Sequence, residues 1–247
     1  MAVTSLTELW HEIVGTQADP PHSVLLASGA VALVAVVPQP VWRLTRNAVT
    51  IAHEGGHALI ALCTGRRLSG IRLHADTSGV TVSYGKPRGP GMVFTAMAGY
   101  VAPALLGLGG AALLGTGHIT ALLWSCVVLL ALMLLMIRNW YGVLALAATG
   151  ALVLGVTWYA TAQVQAAFAD FAVWFLLFGG VRPVFELQWQ RGRGRAPQSD
   201  ADQLAKLTGV PGLLWVFFFG VVALGCALLG AHWLLPTWTT HLSLPHS

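Results

Sequence analysis

Charge is what this sequence has least of. Lys, Arg, Asp and Glu make up 9% of the 247 residues, against about 25% in ordinary soluble domains. That scarcity excludes an ordinary soluble domain, and the 56% hydrophobic content with a mean hydropathy of +0.71 places the chain in a membrane. Cysteine is almost missing too. Cys63, Cys126 and Cys226 stand alone, with no CxxC pair, so there is no disulfide framework and they read as small core residues. A basic n-region is lacking: the first twenty residues carry Glu8, Glu12 and Asp19, so no cleavable signal peptide is expected. The net charge of +4 is no nucleic-acid signature, because the arginines lie in loops between apolar runs, as membrane orientation requires. No internal repeat stands out, and the Ala, Gly and Leu bias fits close helix packing.

What is present is a series of apolar runs of roughly the length that spans a bilayer, about 17 to 25 residues. They cover Ser23 to Val37, which stops at Pro38 and Pro40, then Asn47 to Thr64, Gly91 to Gly115 and Ile119 to Ile137. Tyr141 to Tyr159, Gln163 to Val181 and Val210 to Leu235 follow. The expected fold is an all-α integral membrane bundle of about six or seven transmembrane helices, with a small β-hairpin after the second run. Residues 1–22 form an N-terminal tail, 23–235 the polytopic membrane domain and 236–247 a C-terminal tail. With a cytoplasmic amino terminus, seven spans would put Arg66, Arg67, Arg72, Lys86, Arg88, Arg138, Arg182, Arg191, Arg193, Arg195 and Lys206 inside, leaving Arg43 and Arg46 outside. Losing the first span while keeping those loops inside would place the amino terminus outside.

Two loops are distinctive. Residues 65–90 contain Ile71-Arg72-Leu73-His74 and Val80-Thr81-Val82-Ser83-Tyr84 around Asp76-Thr77-Ser78-Gly79, an alternation that predicts a hairpin. Residues 182–199 are rich in Arg, Gly and Gln and read as a solvated loop that sets topology, or contacts anionic lipid heads.

Inside the second run lies His53-Glu54-Gly55-Gly56-His57. Two histidines four apart share one helix face, so both imidazoles can reach one Zn²⁺. Glu54 then lies beside the metal, where it can take a proton from water. Histidine and glutamate are costly in hydrocarbon, and three together demand a reason. His11-Glu12 starts the same pattern but meets Gly15 where the second histidine should be. His57 lies about 10 Å along a helix axis from Thr64, at the end of the run. Catalytic zinc uses three protein ligands, so a further carboxylate or histidine must arrive by folding. The candidates are Asp170 in the sixth run, and Asp200 and Asp202 in Ser199-Asp200-Ala201-Asp202-Gln203-Leu204. Ser199 can cap a short helix over Asp200 to Leu207. Two residues apart on a helix is about 200° of rotation, so at most one of Asp200 and Asp202 faces the metal.

HEGGH in an early run, a hairpin after it and Ser199-Asp200-Ala201 before a late run resemble the site-2 protease family of intramembrane zinc metallopeptidases, in its small bacterial branch without large inserted domains. Arg138-Asn139-Trp140-Tyr141-Gly142 is similar to a short motif of that branch. The resemblance implies His53 and His57 as zinc ligands, Glu54 as catalytic base and Asp200 as third ligand, with Asp202 and Asp170 as alternatives. Asn139 would hydrogen-bond a substrate backbone or developing oxyanion, or else satisfy backbone groups at a span end. The family's usual Asp-Gly context is missing here. The implied substrate is a transmembrane protein in the lipid bilayer, cut in or near its span, with no nucleic acid partner. The implied location is the bacterial plasma membrane, multi-pass, with basic loops cytoplasmic. Either hairpin edge, Ile71–His74 or Val80–Tyr84, would pair with an unwound substrate, or else the hairpin is a compact loop lid. The rival readings are a transporter using the His/Glu cluster as an ion path and a non-catalytic relative that binds partner spans. No sequence feature sets an oligomeric state.

Overall fold

Apolar runs and proline punctuation set the order of elements. The computed structural model describes residues 6–235 except 19 and 197. The expected tail 236–247, Asp19 and Pro197 lie outside the described residues. A short helix α1 (Leu6–Val14) precedes α2 (His22–Val36) and α3 (Gln39–Cys63), which carries HEGGH. The hairpin β1 (Arg67–Leu73) and β2 (Gly79–Tyr84) follows. Then come α4 (Pro90–Gly115), α5 (Ile119–Met136), α6 (Trp140–Tyr159), α7 (Ala162–Gly192), α8 (Asp200–Thr208) and α9 (Gly212–Leu234). The chain is thus an all-α membrane bundle with one small antiparallel sheet among the described residues.

Among the described residues five helices, α4, α5, α6, α7 and α9, are each long and apolar enough to cross a membrane. The first two apolar runs, expected as separate spans, instead form a pair bent by 102°, giving up to six spans when the pair counts as one. The physical cause is visible at the break. Pro40 sits in the first turn of α3, where its missing N–H costs nothing, so the prolines start a helix eight residues earlier than the run from Asn47 suggested. Arg182 of α7 donates to the carbonyls of Val36 and Val37 and to Gln39 Oε1, and its guanidinium lies 5.0 Å from the Trp42 ring. One cation therefore satisfies the last two carbonyls at the end of α2, and Thr45 Oγ1 donates to that of Ala35 (2.8 Å).

The two ends of α5 orient the molecule. At its start, Gln17 N–H donates to Gly117 O (2.8 Å) and Gln17 Oε1 accepts from Thr120 N–H (3.0 Å), docking the N-terminal segment. Just past its other end, Ile71 of β1 bridges Ile137. The N-terminal segment and the hairpin thus lie at opposite ends of the bundle, which corrects the seven-span arrangement that put them on the same side.

Helix α7 also corrects an expectation. Residues 182–192, read from sequence as solvated loop, continue the helix. Arg, Gln, Glu and Leu are good helix formers, and Arg182 pairs with Glu186 one turn on (3.0 Å).

The sheet is short but well anchored. Arg72 pairs with Val80, Ile71 with Thr81 and Leu73 with Gly79, and a bulge lies between Leu68 and Gly70. Helix α4 runs through the core, packed on α3, α7 and α9. Small residues permit this: Ala98, Ala104, Gly107, Gly110 and Ala111 are all buried, and without a strong hydrophobic drive between helices in lipid such close approach supplies the packing energy.

Candidate metal centre

HEGGH lies in α3 as a continuous helix, so His53 and His57 stack on one face. Their Nε2 atoms are 3.1 Å apart, and Asp200 Oδ2 lies 3.2 Å from His53 Nε2 and 3.3 Å from His57 Nε2. Among the described residues these are the metal-capable side chains whose donor atoms gather within 4.8 Å of one another. Asp202, two residues on, faces the other way. It pairs with Arg191 and accepts from Ser199 Oγ (2.7 Å). Asp170 is buried in α7, outside the cluster. Of the three candidate carboxylates, only Asp200 is brought to the histidines.

Local sequence explains how Asp200 arrives. Ser199 caps α8, its side chain accepting from Asp202 N–H, and Gly209 closes the helix in the left-handed region (φ 76°). Arg191 at the end of α7 reaches both Ser199 Oγ (3.2 Å) and Asp202. The helix is thereby fixed with its positive end and Asp200 toward α3. Burial alone would raise the Asp200 carboxyl; the charge and hydrogen bonds of His57 and His53 outweigh that and hold it well below the usual carboxylate range.

The donor set fits a tetrahedral metal. His57 Nδ1 lies 2.7 Å from the Thr95 carbonyl, which can only accept, so Nδ1 carries a proton, and once a metal takes the place of any proton on Nε2 that atom offers a lone pair. That lone pair faces Asp200 Oδ2 and His53 Nε2. Acceptors converging on one point are mutually repulsive unless a cation or proton lies among them. Zinc–ligand bonds of about 2.0–2.1 Å imply donors about 3.3 Å apart in a tetrahedral site, close to the spacings seen here.

Glu54 is buried at 4% exposure. Thr81 Oγ1 donates to its Oε2 (2.6 Å) and lies 3.1 Å from its backbone carbonyl, tying α3 to β2. A Cβ at Gly79 would strike the Glu54 side chain, so glycine there makes room for the carboxylate. Gly99 of α4 does the same for the imidazoles: a Cβ there would collide with Nε2 of both His53 and His57. Tyr100 meets the His53 ring edge-on, with centroids 4.9 Å apart, and stacks on Phe219 (5.0 Å). A cavity of about 410 Å³ opens beside the cluster, bounded by His53, Glu54, His57, Thr81, Gln198 and Asp200 among others.

Thr81, Gly79, Thr95, Gly99 and Tyr100 were not singled out for this site from sequence. Their separation from His57 by 22 to 43 positions hid them; the only signal was their proximity to a hairpin and to the start of the next run.

Asn139 is placed differently from one of its expected roles. Its Nδ2 donates to Leu73 O (2.6 Å) and its Oδ1 accepts from Leu73 N–H (3.2 Å). Both ends of the amide thus bond β1, in place of a neighbouring strand, which is the span-end role expected as the alternative to a substrate contact. Arg138 N–H donates to Ile71 O (2.9 Å), and Tyr141 OH accepts from Asn47 of α3 (2.9 Å). The 138–142 motif therefore joins α5, α6, the hairpin and α3.

A family model described as Peptidase M50B-like matches residues 26–230, a stretch that contains every residue of this cluster. The chain belongs to the Peptidase M50B-like family. The site-2 protease resemblance is borne out, and the chain is a multi-pass membrane protein of a peptidase family rather than of a transporter family. Comparison with curated proteins and with solved structures gave no match.

Proposed function

We propose that this M50B-like chain is an intramembrane zinc endopeptidase that cuts transmembrane or membrane-proximal segments of substrate proteins. The observation that carries the reading is the convergence of His53 Nε2, His57 Nε2 and Asp200 Oδ2 at 3.1 to 3.3 Å, with a buried carboxylate from the same helix alongside. A Zn²⁺ held there by His53, His57 and Asp200 would supply Lewis acidity and would lower the pKa of a water toward about 7. Glu54 takes the water proton on its carboxylate and returns it to the leaving amine. Thr81 occupies Oε2, which keeps the carboxylate from rotating and leaves Oε1 to move the proton. Thr95 holds the His57 tautomer by its carbonyl.

A helical substrate must unwind before its carbonyl is accessible, and the hairpin offers partners for the freed amides. Ile71 and Leu73 direct their backbone groups to the 137–139 segment. In an antiparallel pair their partners Thr81 and Gly79 then direct theirs away from β1. The Ile71–Leu73 edge, one of the two considered for substrate, is therefore occupied. The outer edge of β2, which lines the cavity, is the one left for strand addition. The basic loops gathered at the hairpin end face the cytoplasm in this reading, with the amino terminus on the opposite side.

The test is to purify wild type, Glu54→Gln and Asp200→Ala in detergent and to measure bound zinc and cleavage of model transmembrane peptides. Glu54→Gln should keep zinc and lose turnover by about 10²- to 10⁴-fold, while Asp200→Ala loses zinc. Full turnover by Glu54→Gln would overturn the assignment.

A further inference from the structure

A second, smaller cavity of about 180 Å³ adjoins the first and shares His53, Glu54, Gly79 and Tyr100 with it. Most of its remaining wall is polar, with Thr50, Thr77 and Ser78 on one side and a single cation, Arg46 of α3. Arg46 and Glu54 lie eight residues apart on one helix, about 12 Å along its axis.

What this cavity binds follows from which of its groups are already engaged. The hydroxyl protons of Thr50 and Ser78 go to Thr77 O (2.8 Å) and Asp76 Oδ1 (2.6 Å). Arg46 is different. Its guanidinium lies 3.8 Å from Glu186, too far for a hydrogen bond, and 5.9 Å from the Trp42 ring, a contact that leaves its N–H groups free. Glu186 Oε1 instead accepts from Arg182 Nε (3.0 Å). Among the described residues no hydrogen bond reaches the Arg46 guanidinium, nor the hydroxyl of Tyr100, whose ring meets those of His53 and Phe219.

The charges lead the same way. Asp200 and Glu54 match a divalent ion at the metal centre, and Glu186 matches Arg182. Arg46 is left over. Its side chain is 30% exposed, within reach of a ligand yet only partly hydrated, where a cation is costly until an anion joins it. Free donors beside an unmatched positive charge select a carboxylate, which a guanidinium holds by two parallel hydrogen bonds. A cavity of about 150 Å³ admits benzene, so an Asp or Glu side chain fits this one. An extended chain covers about 12 Å in about four residues.

We infer that Arg46 and Tyr100 form a subsite for an acidic side chain of the substrate, within about four residues of the bond cut. The inference rests on the protease reading and names the substrate class of that same site. The test uses C-terminally amidated transmembrane peptides in detergent, each carrying Glu, Gln, Leu or Lys at one position near the cut. Wild type should favour Glu over Gln at one such position by about ten- to a hundredfold in kcat/KM, chiefly through KM. Arg46→Gln should bring that ratio to about one, Arg46→Lys should keep most of it, and Arg46→Glu should turn the preference to Lys. Bound zinc reports that each variant is folded. Zinc-loaded Glu54→Gln, which holds peptide without cutting it, should bind the Glu peptide more tightly than the Gln peptide by fluorescence anisotropy. A flat profile in a protein that cuts overturns the subsite, as does a Glu preference that survives Arg46→Gln. Tighter binding of the Glu peptide with no cleavage by wild type would fault the protease reading and leave the subsite standing; equal binding of both peptides overturns the subsite whether or not the protein cuts.

Discussion

Gly99→Ala places a single methyl group where the structure has no room for one. A Cβ at Gly99 would overlap Nε2 of both His53 and His57, the two atoms that converge with Asp200. In a helix interior, alanine is ordinarily favoured over glycine by about 0.5–1 kcal/mol. Overpacking a well-filled site costs about 1–3 kcal/mol, so the clash outweighs the helical gain, and the imidazoles move rather than the α4 backbone. Because disturbing the support of metal ligands typically costs 10–100-fold in affinity, and here both ligands are displaced, zinc affinity should fall by about a hundredfold. Gly109→Ala is the control: it lies in the same helix with nothing within 4 Å of its Cβ, and should leave affinity unchanged. The assay is zinc competition against a calibrated chelator in detergent, with thermal unfolding followed in parallel. A Gly99→Ala protein that binds zinc as tightly as wild type would refute the reasoning.

Thr81→Val removes the hydrogen bond to Glu54 while keeping the side chain's shape. Hydrogen bonds to charged groups contribute about 1.5–3 kcal/mol, so kcat should drop about ten- to a hundredfold with zinc content unchanged, read by peptide cleavage and metal analysis. Asn139→Ala strips both contacts from Leu73, at about 0.5–1.5 kcal/mol each. Amide exchange in β1 should quicken and cleavage weaken, while zinc remains bound. Arg191→Ala frees Ser199 and Asp202 and so loosens α8; zinc affinity should fall roughly tenfold in the same chelator competition.

Much of this architecture was legible because local rules coincide with the tertiary outcome. The spans at α4, α5 and α6 follow directly from apolar runs bounded by Gly, Pro and polar pairs. The hairpin was marked by alternation around Asp76-Thr77-Ser78-Gly79, and α8 by Ser199 and the acids behind it. The helical period also anticipated that Asp200 and Asp202 point in different directions. The bend between α2 and α3 was not legible. Proline ends or begins a helix with equal economy at its first turn, and the cation that stabilises the break, Arg182, lies 146 positions from Val36. The role of Asn139 was ambiguous for a related reason: an amide at a span end can serve a substrate or a neighbouring strand, and only the position of Leu73 decides between them. Gly79 was legible only as a turn residue and Gly99 not at all, since what they make room for comes from another element.

Zinc-edge X-ray absorption on gently extracted wild type tests the central claim most directly. The account predicts stoichiometric zinc bound by two imidazole nitrogens and a carboxylate oxygen at about 2.0–2.2 Å, with the carboxylate contribution lost in Asp200→Ala. Metal-free active protein, or a first shell that keeps its carboxylate when Asp200 is removed, would contradict it.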